Sequence, residues 1–175
     1  MNLLLIGYRG TGKTSVARRL ALALGWEWID ADVELELRAG KSIAAIFADD
    51  GEQAFRDLES AVLADLARRE RTVIALGGGA VLRPENRAAI RSAGKTVWLK
   101  ALPETLWERI AADVTTRDRR PNLTSAGGIT EINVILGQRL PFYRECADLE
   151  VDTEQKTPAG VAEEILARLG DELRG

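Results

Sequence analysis

Eight residues near the start of the chain, Gly7-Tyr8-Arg9-Gly10-Thr11-Gly12-Lys13-Thr14, satisfy the pattern G-x-x-x-x-G-K-[ST] at every defined position. The chemistry of such a pattern is the holding of phosphate. Glycines leave room for backbone N–H groups to close around anionic oxygens. A helix beginning near Lys13 adds its own unpaired N–H groups and the positive end of its dipole. Lys13 supplies a point charge for the outer phosphates, and the Thr14 hydroxyl is placed to ligate Mg²⁺. An ordinary glycine-rich turn is the alternative. The apolar run Leu3-Leu4-Leu5-Ile6 before the pattern and the helical spacing after it favour the phosphate site.

Further groups gather where other apolar runs end. Asp30 and Asp32 are two apart at the close of Trp26-Glu27-Trp28-Ile29, so in extended chain their side chains share one face. One carboxylate can then serve Mg²⁺ while its neighbour faces a second substrate. Alternatively, Asp32 is the N-cap of the next helix. Gly77-Gly78-Gly79 stands where an ordinary Walker B strand would end in Asp, and it offers N–H donors to a small ligand or a simple turn. Arg56 and Arg139 lie on helices. Arg117, Arg119 and Arg120 crowd a polar stretch between Thr115 and Gly128, which reads as a slack loop or as a lid carrying cations to a transferring phosphoryl group. The chain has no histidine, so acid–base chemistry must use carboxylates or lysine.

The elements that position these groups alternate. Apolar runs at Leu3–Ile6, Trp26–Ile29, Val73–Leu76, Thr96–Leu99 and Leu149–Val151 read as strands, and amphipathic helices separate them. This alternation predicts an α/β domain with a mainly parallel sheet. Ligands then collect beyond the carboxyl ends of the strands, where the phosphate loop, the aspartate pair and the triple glycine all fall. The first helix, Thr14–Leu24, should bury Val16, Leu20 and Ala23 and stop at Gly25. Further helices are expected over about Val33–Ala39, Glu52–Arg69 and Ala159–Leu173. Another starts at Glu131 and is disturbed at Pro141.

Length and composition suit one domain of 175 residues, 46% apolar and 29% charged. A net charge of −3 gives no general attraction to nucleic acid or anionic lipid, so neither is expected as a partner. No run reaches membrane-spanning length and no signal peptide is visible. The single cysteine, Cys146, reads as a small buried apolar residue and agrees with a reducing cytoplasm. A cytoplasmic monomer is expected.

Taken together and in order, the motifs resemble shikimate kinase, a small relative of the nucleoside monophosphate kinases. The resemblance runs from Leu3 to Leu173. It rests on Gly10-Thr11-Gly12-Lys13-Thr14-Ser15, Asp30-x-Asp32 and Gly51-Glu52-x-x-Phe55-Arg56, followed by Gly77-Gly78-Gly79, Arg120-Pro121 and Arg139-x-Pro141-x-Tyr143. It implies a three-layer α/β/α P-loop kinase fold with a five-stranded parallel sheet of order 2-3-1-4-5. A shikimate-binding region over about residues 33–62 and a mobile lid over 115–128 are also implied. The implied reaction is phosphorylation of the 3-hydroxyl of shikimate by ATP with Mg²⁺, giving shikimate 3-phosphate and ADP.

By the same resemblance Lys13, Asp32 and Arg120 are catalytic, and Asp32 orients or deprotonates the attacking hydroxyl. Gly10 through Ser15 hold ATP together with Arg120 of the lid, and the adenine contact falls to Arg109 or Arg117. Thr14 and Asp30 serve the metal. Arg56 and Arg139 grip the shikimate carboxylate, aided by Gly77, Gly78 and Gly79. Gluconate kinase and adenylate kinase share the loop and fold but do not account for the triple glycine together with Arg56 and Arg139. A nucleotide-binding module without turnover is the reading from another class.

Overall fold

The computed structural model describes residues 1–113 and 127–174. All of the expected lid except Gly127 and Gly128 lies outside the described residues, and Arg117, Arg119 and Arg120 lie there with it.

β1 (Asn2–Ile6) is buried at all five positions, which its continuous apolar sequence requires of a central parallel strand. β3 (Thr72–Ala75) and β4 (Gly94–Lys100) flank it. β2 (Glu27–Asp30) lies beyond β3, and β5 (Leu149–Asp152) lies beyond β4. The order is 2-3-1-4-5 and every pairing is parallel, with Leu4 opposite Ile74 on one side and Thr96 on the other. Since side chains alternate along a strand, each strand feeds two cores. Leu3, Leu5, Val73, Ala75, Val97, Leu99 and Val151 face α1 (Lys13–Leu24) and α8 (Pro158–Arg174). Leu4, Ile6, Ile74, Leu76 and Trp98 face the other layer. That layer holds α2 (Ala31–Ala39), α3 (Ile43–Asp49), α4 (Gly51–Leu66), α5 (Pro84–Ala93) and α7 (Gly128–Cys146). α6 (Pro103–Ala112) packs beside α7 around Tyr8, Leu106, Ile110 and Ile132. Among the described residues no helix is long and apolar enough to cross a membrane.

Three local expectations change. α1 buries Val16, Ala17, Leu20 and Ala21, whereas Ala23 is exposed, because the face turned to the sheet is centred one residue earlier. α2 begins at Ala31 rather than near Val33. Its N-cap is Asp30, whose Oδ1 accepts from the N–H groups of Asp32 at 3.0 Å and Val33 at 3.4 Å. The chain therefore leaves extended conformation between the two aspartates, and the shared-face argument does not hold. α7 runs unbroken from Gly128 to Cys146 with Pro141 inside. Proline there removes a backbone hydrogen bond, a cost of about 3 kcal/mol. The packing of Tyr143 and Cys146, with Leu136, Leu140 and Phe142 beside them, into the sheet core offsets it. Cys146 is buried as expected, and that burial, with Glu145 beside it, pushes its thiol up to about 11.

Candidate active site

Gly12 is the N-cap of α1, with φ of 85°, a left-handed conformation that glycine adopts without strain. This turn lets α1 start at Lys13 and aim its first N–H groups back toward the end of β1. Lys13 lies over the loop, its Nζ donating to the carbonyls of Gly7 at 2.8 Å and Tyr8 at 2.9 Å. Thr11 is turned inward, and its hydroxyl donates to the Tyr8 carbonyl at 2.9 Å. Thr14 reaches sideways to the next strand end and donates from Oγ1 to Asp30 Oδ2 at 2.6 Å. Asp30 thus ties β2 and the start of α2 to the phosphate loop with its two oxygens.

A cleft of about 310 Å³ opens beside the loop. Gly10, Gly12, Lys13, Thr14 and Ser15 line one side, and Asp30, Asp32 and Glu36 line another. Gly77, Gly78 and Arg9 complete that region, with Arg109 and Asp113 from the α6 side. The aspartate pair, the phosphate loop and the glycines after β3 therefore meet in one concavity at the carboxyl edge of the sheet, where an open α/β sheet binds ligands.

Neither Arg56 nor Arg139 lines that cleft; both lie against the glycine turn, Arg139 beside Gly78 and Arg56 beside Gly79, which is itself outside the lining. A Cβ on Gly79 would overlap the Arg56 guanidinium, coming within 2.7 Å of Nη2, and one on Gly78 would lie 3.1 Å from Arg139 Nη1. Glycine at these two positions leaves the guanidinium groups room for close approach, and neither has a positive φ. Both arginines are buried, at 8% and 6% exposure, which is rare for a guanidinium group unless it is paired. Arg56 is held by Glu59 one turn along α4, its Nη1 donating to both carboxylate oxygens at 2.9 and 2.8 Å. On α7, one turn beyond Arg139, the Tyr143 hydroxyl donates to the Gly78 carbonyl at 2.7 Å and fixes the glycine turn.

A second, smaller cavity adjoins the loop, lined by Gly10, Thr11, Gly12, Arg109, Thr153 and Lys156 among others. Arg109 is anchored there, donating to the Thr153 hydroxyl at 2.9 Å and the Thr153 carbonyl at 3.0 Å.

Sequence reasoning missed Glu59, whose signal is its i,i+3 spacing from Arg56. It also gave no task to Arg9 or Glu36, both in the cleft wall. Of the expected site residues, Arg117 and Arg120 lie outside the described residues.

A phosphate loop opening a helix, beside an acidic strand end and on a 2-3-1-4-5 parallel sheet, defines a P-loop kinase. The shikimate kinase family model matches residues 9–170. A shikimate kinase of Rhodopirellula baltica is 46% identical over 165 residues, covering 94% of this chain and 88% of the relative. One of Pseudomonas syringae pv. syringae is 44% identical, covering 97% and 96%. Among solved structures, the Acinetobacter baumannii shikimate kinase in complex with shikimate superposes with a TM-score of 0.91 at 34% identity, covering 98% of this chain and 93% of that one. The chain belongs to the shikimate kinase family.

Proposed function

We propose that the chain transfers the γ-phosphoryl group of ATP to the 3-hydroxyl of shikimate, giving shikimate 3-phosphate and ADP. The observation that carries this reading is the single cleft in which a phosphate cradle faces a carboxylate and a glycine turn backed by two buried arginines. Shikimate is a small acid with three hydroxyls. Guanidinium forks suit its carboxylate, while an aspartate and peptide N–H groups suit its hydroxyls.

In this reading Gly10 through Ser15 hold the triphosphate, and Lys13 leaves its carbonyl partners for the outer phosphates. Arg109, pinned by Thr153 at the second cavity, receives the adenine face. Arg56 and Arg139 take the carboxylate, with Gly77, Gly78 and Gly79 giving the ring close access. Asp32 accepts a hydrogen bond from the 3-hydroxyl and takes its proton as the oxygen attacks phosphorus. The bond to the β-phosphate oxygen then breaks and ADP leaves. Arg120 adds positive charge to the transferring group.

Thr14 and Asp30 fit Mg²⁺: a hydroxyl and a carboxylate already 2.6 Å apart form a hard oxygen pair beside the cradle. An ion there would keep waters and phosphate oxygens as its other ligands. When bound, Mg²⁺ supplies neutralisation of phosphate charge. We extend the reading to a monomer in the cytoplasm, where ATP is at hand.

A coupled ADP-release assay with shikimate, gluconate and AMP in parallel tests the whole. Turnover with shikimate is expected. Turnover with gluconate instead would change the acceptor, and tight ATP binding with no turnover would favour a binding module.

A further inference from the structure

Tyr8 occupies an undefined position of the phosphate-loop pattern, and the reaction as described gives its side chain no task. It is nevertheless 1% exposed, wedged among Leu106 and Ile110 of α6 and Ile132 of α7, so the ring cannot swing away. The Arg139 guanidinium lies over that ring, with Cζ 5.8 Å from its centroid. A cation over an aromatic face is attracted by the ring quadrupole, and more strongly where water is excluded from both, as here. The Tyr8 carbonyl meanwhile accepts from Lys13 Nζ and from the Thr11 hydroxyl. One residue therefore meets the phosphate-binding lysine through its backbone and the buried arginine through its side chain.

We propose that Tyr8 is a positioning residue for the acid substrate: its ring carries Arg139 against Gly78 and so fixes the carboxylate site to the phosphate loop. This rests on the reading of Arg139 as a carboxylate ligand. Burial, aided by the buried Glu131 carboxylate nearby, pushes the Tyr8 hydroxyl pKa up against the opposing pull of Arg9 and Arg139, so the ring meets the guanidinium in its neutral form. What acts is the electron-rich face of the ring, and phenylalanine retains it.

The test uses the full chain with Tyr8→Phe as reference. Replacing Tyr8 by pentafluorophenylalanine keeps the ring's shape but inverts its quadrupole. Relative to the reference, KM for shikimate should rise about fivefold while KM for ATP and kcat stay within about twofold. Tyr8→Leu should raise KM for shikimate in the same selective way, with Tyr8→Phe recovering most of the loss. Equal KM values for the two aromatic variants, or equal effects on shikimate and ATP, would overturn the proposal. Arg139→Ala judges the underlying reading separately. If it leaves KM for shikimate unchanged, the carboxylate assignment fails. The ring–guanidinium contact is then read from thermal denaturation, where fluorination should lower Tm only in protein that retains Arg139. The same lowering of Tm with and without Arg139 would overturn the contact itself.

Discussion

The two halves of the cleft are built by opposite means. In the proposed reading the phosphate side is one contiguous loop in which backbone does most of the binding and glycine supplies conformation, as at Gly12. In that reading the acid side takes Asp32 from α2 and, behind the glycine turn, Arg56 from α4 and Arg139 from α7, and there glycine supplies only space, as at Gly78 and Gly79. For holding phosphate, a backbone cradle tolerates variety in its undefined positions, and the proposed task of Tyr8 there serves the acid side instead. A side-chain pocket depends on each supporting contact, so the two halves should fail differently.

The largest effect expected is from Asp32→Asn, which keeps the shape of the cleft but removes the proton acceptor. Its kcat should fall on the order of 10²–10⁴-fold with ATP affinity nearly unchanged, as read by steady-state kinetics and nucleotide titration. Near-normal kcat would remove Asp32 from the chemistry. Arg139→Ala comes next, with about 2–5 kcal/mol lost from shikimate binding and little from ATP binding. Equal losses on both sides would show that the halves are not separable.

The two glycine types sharpen the contrast. Gly79→Ala has no positive φ to relieve, so its methyl group must push the Arg56 guanidinium aside. KM for shikimate should rise about tenfold or more, the scale of one displaced charged hydrogen bond, with KM for ATP preserved. Gly12→Ala meets no neighbour within 4 Å but must hold φ near 85°. It should cost about 1–2 kcal/mol of stability in denaturant unfolding and weaken ATP selectively. The smallest effect concerns Cys146, at the core end of the helix that bears Arg139. With its thiol pushed up to about 11 and buried, alkylation near pH 8 should be slow in the folded protein and accelerate only on unfolding. Rapid labelling that shikimate suppresses would show that the acid half opens independently.

This contrast also explains what was legible in the sequence. The phosphate loop was plain because its residues are adjacent and each position has its own physical reason. The strands were plain for the same cause, since burial on both faces leaves unbroken apolar runs such as Leu3–Ile6. The acid side could not be read from spacing. Arg56, Gly79 and Arg139 are far apart in the chain, and only the resemblance joined them before the fold did. Glu59 and Tyr8 stayed hidden because a buried acid one helical turn from an arginine, or an aromatic in a loop, looks like ordinary surface or core. Aspartate roles misled locally: the true cap of α2 is Asp30, and Asp32 sits in the first helical turn. The helix continues through Pro141, because local propensity yields to the packing of Tyr143 and its neighbours.

If Arg56 takes the carboxylate as proposed, its pairing with Glu59 bears on how the enzyme lets go. A lone guanidinium in a dry pocket would seize any passing anion and keep it. One already balanced by a buried carboxylate offers a visitor only its remaining donors. Recognition must then come from the fit of ring and hydroxyls as well as from charge, and a phosphorylated product that no longer fits can depart.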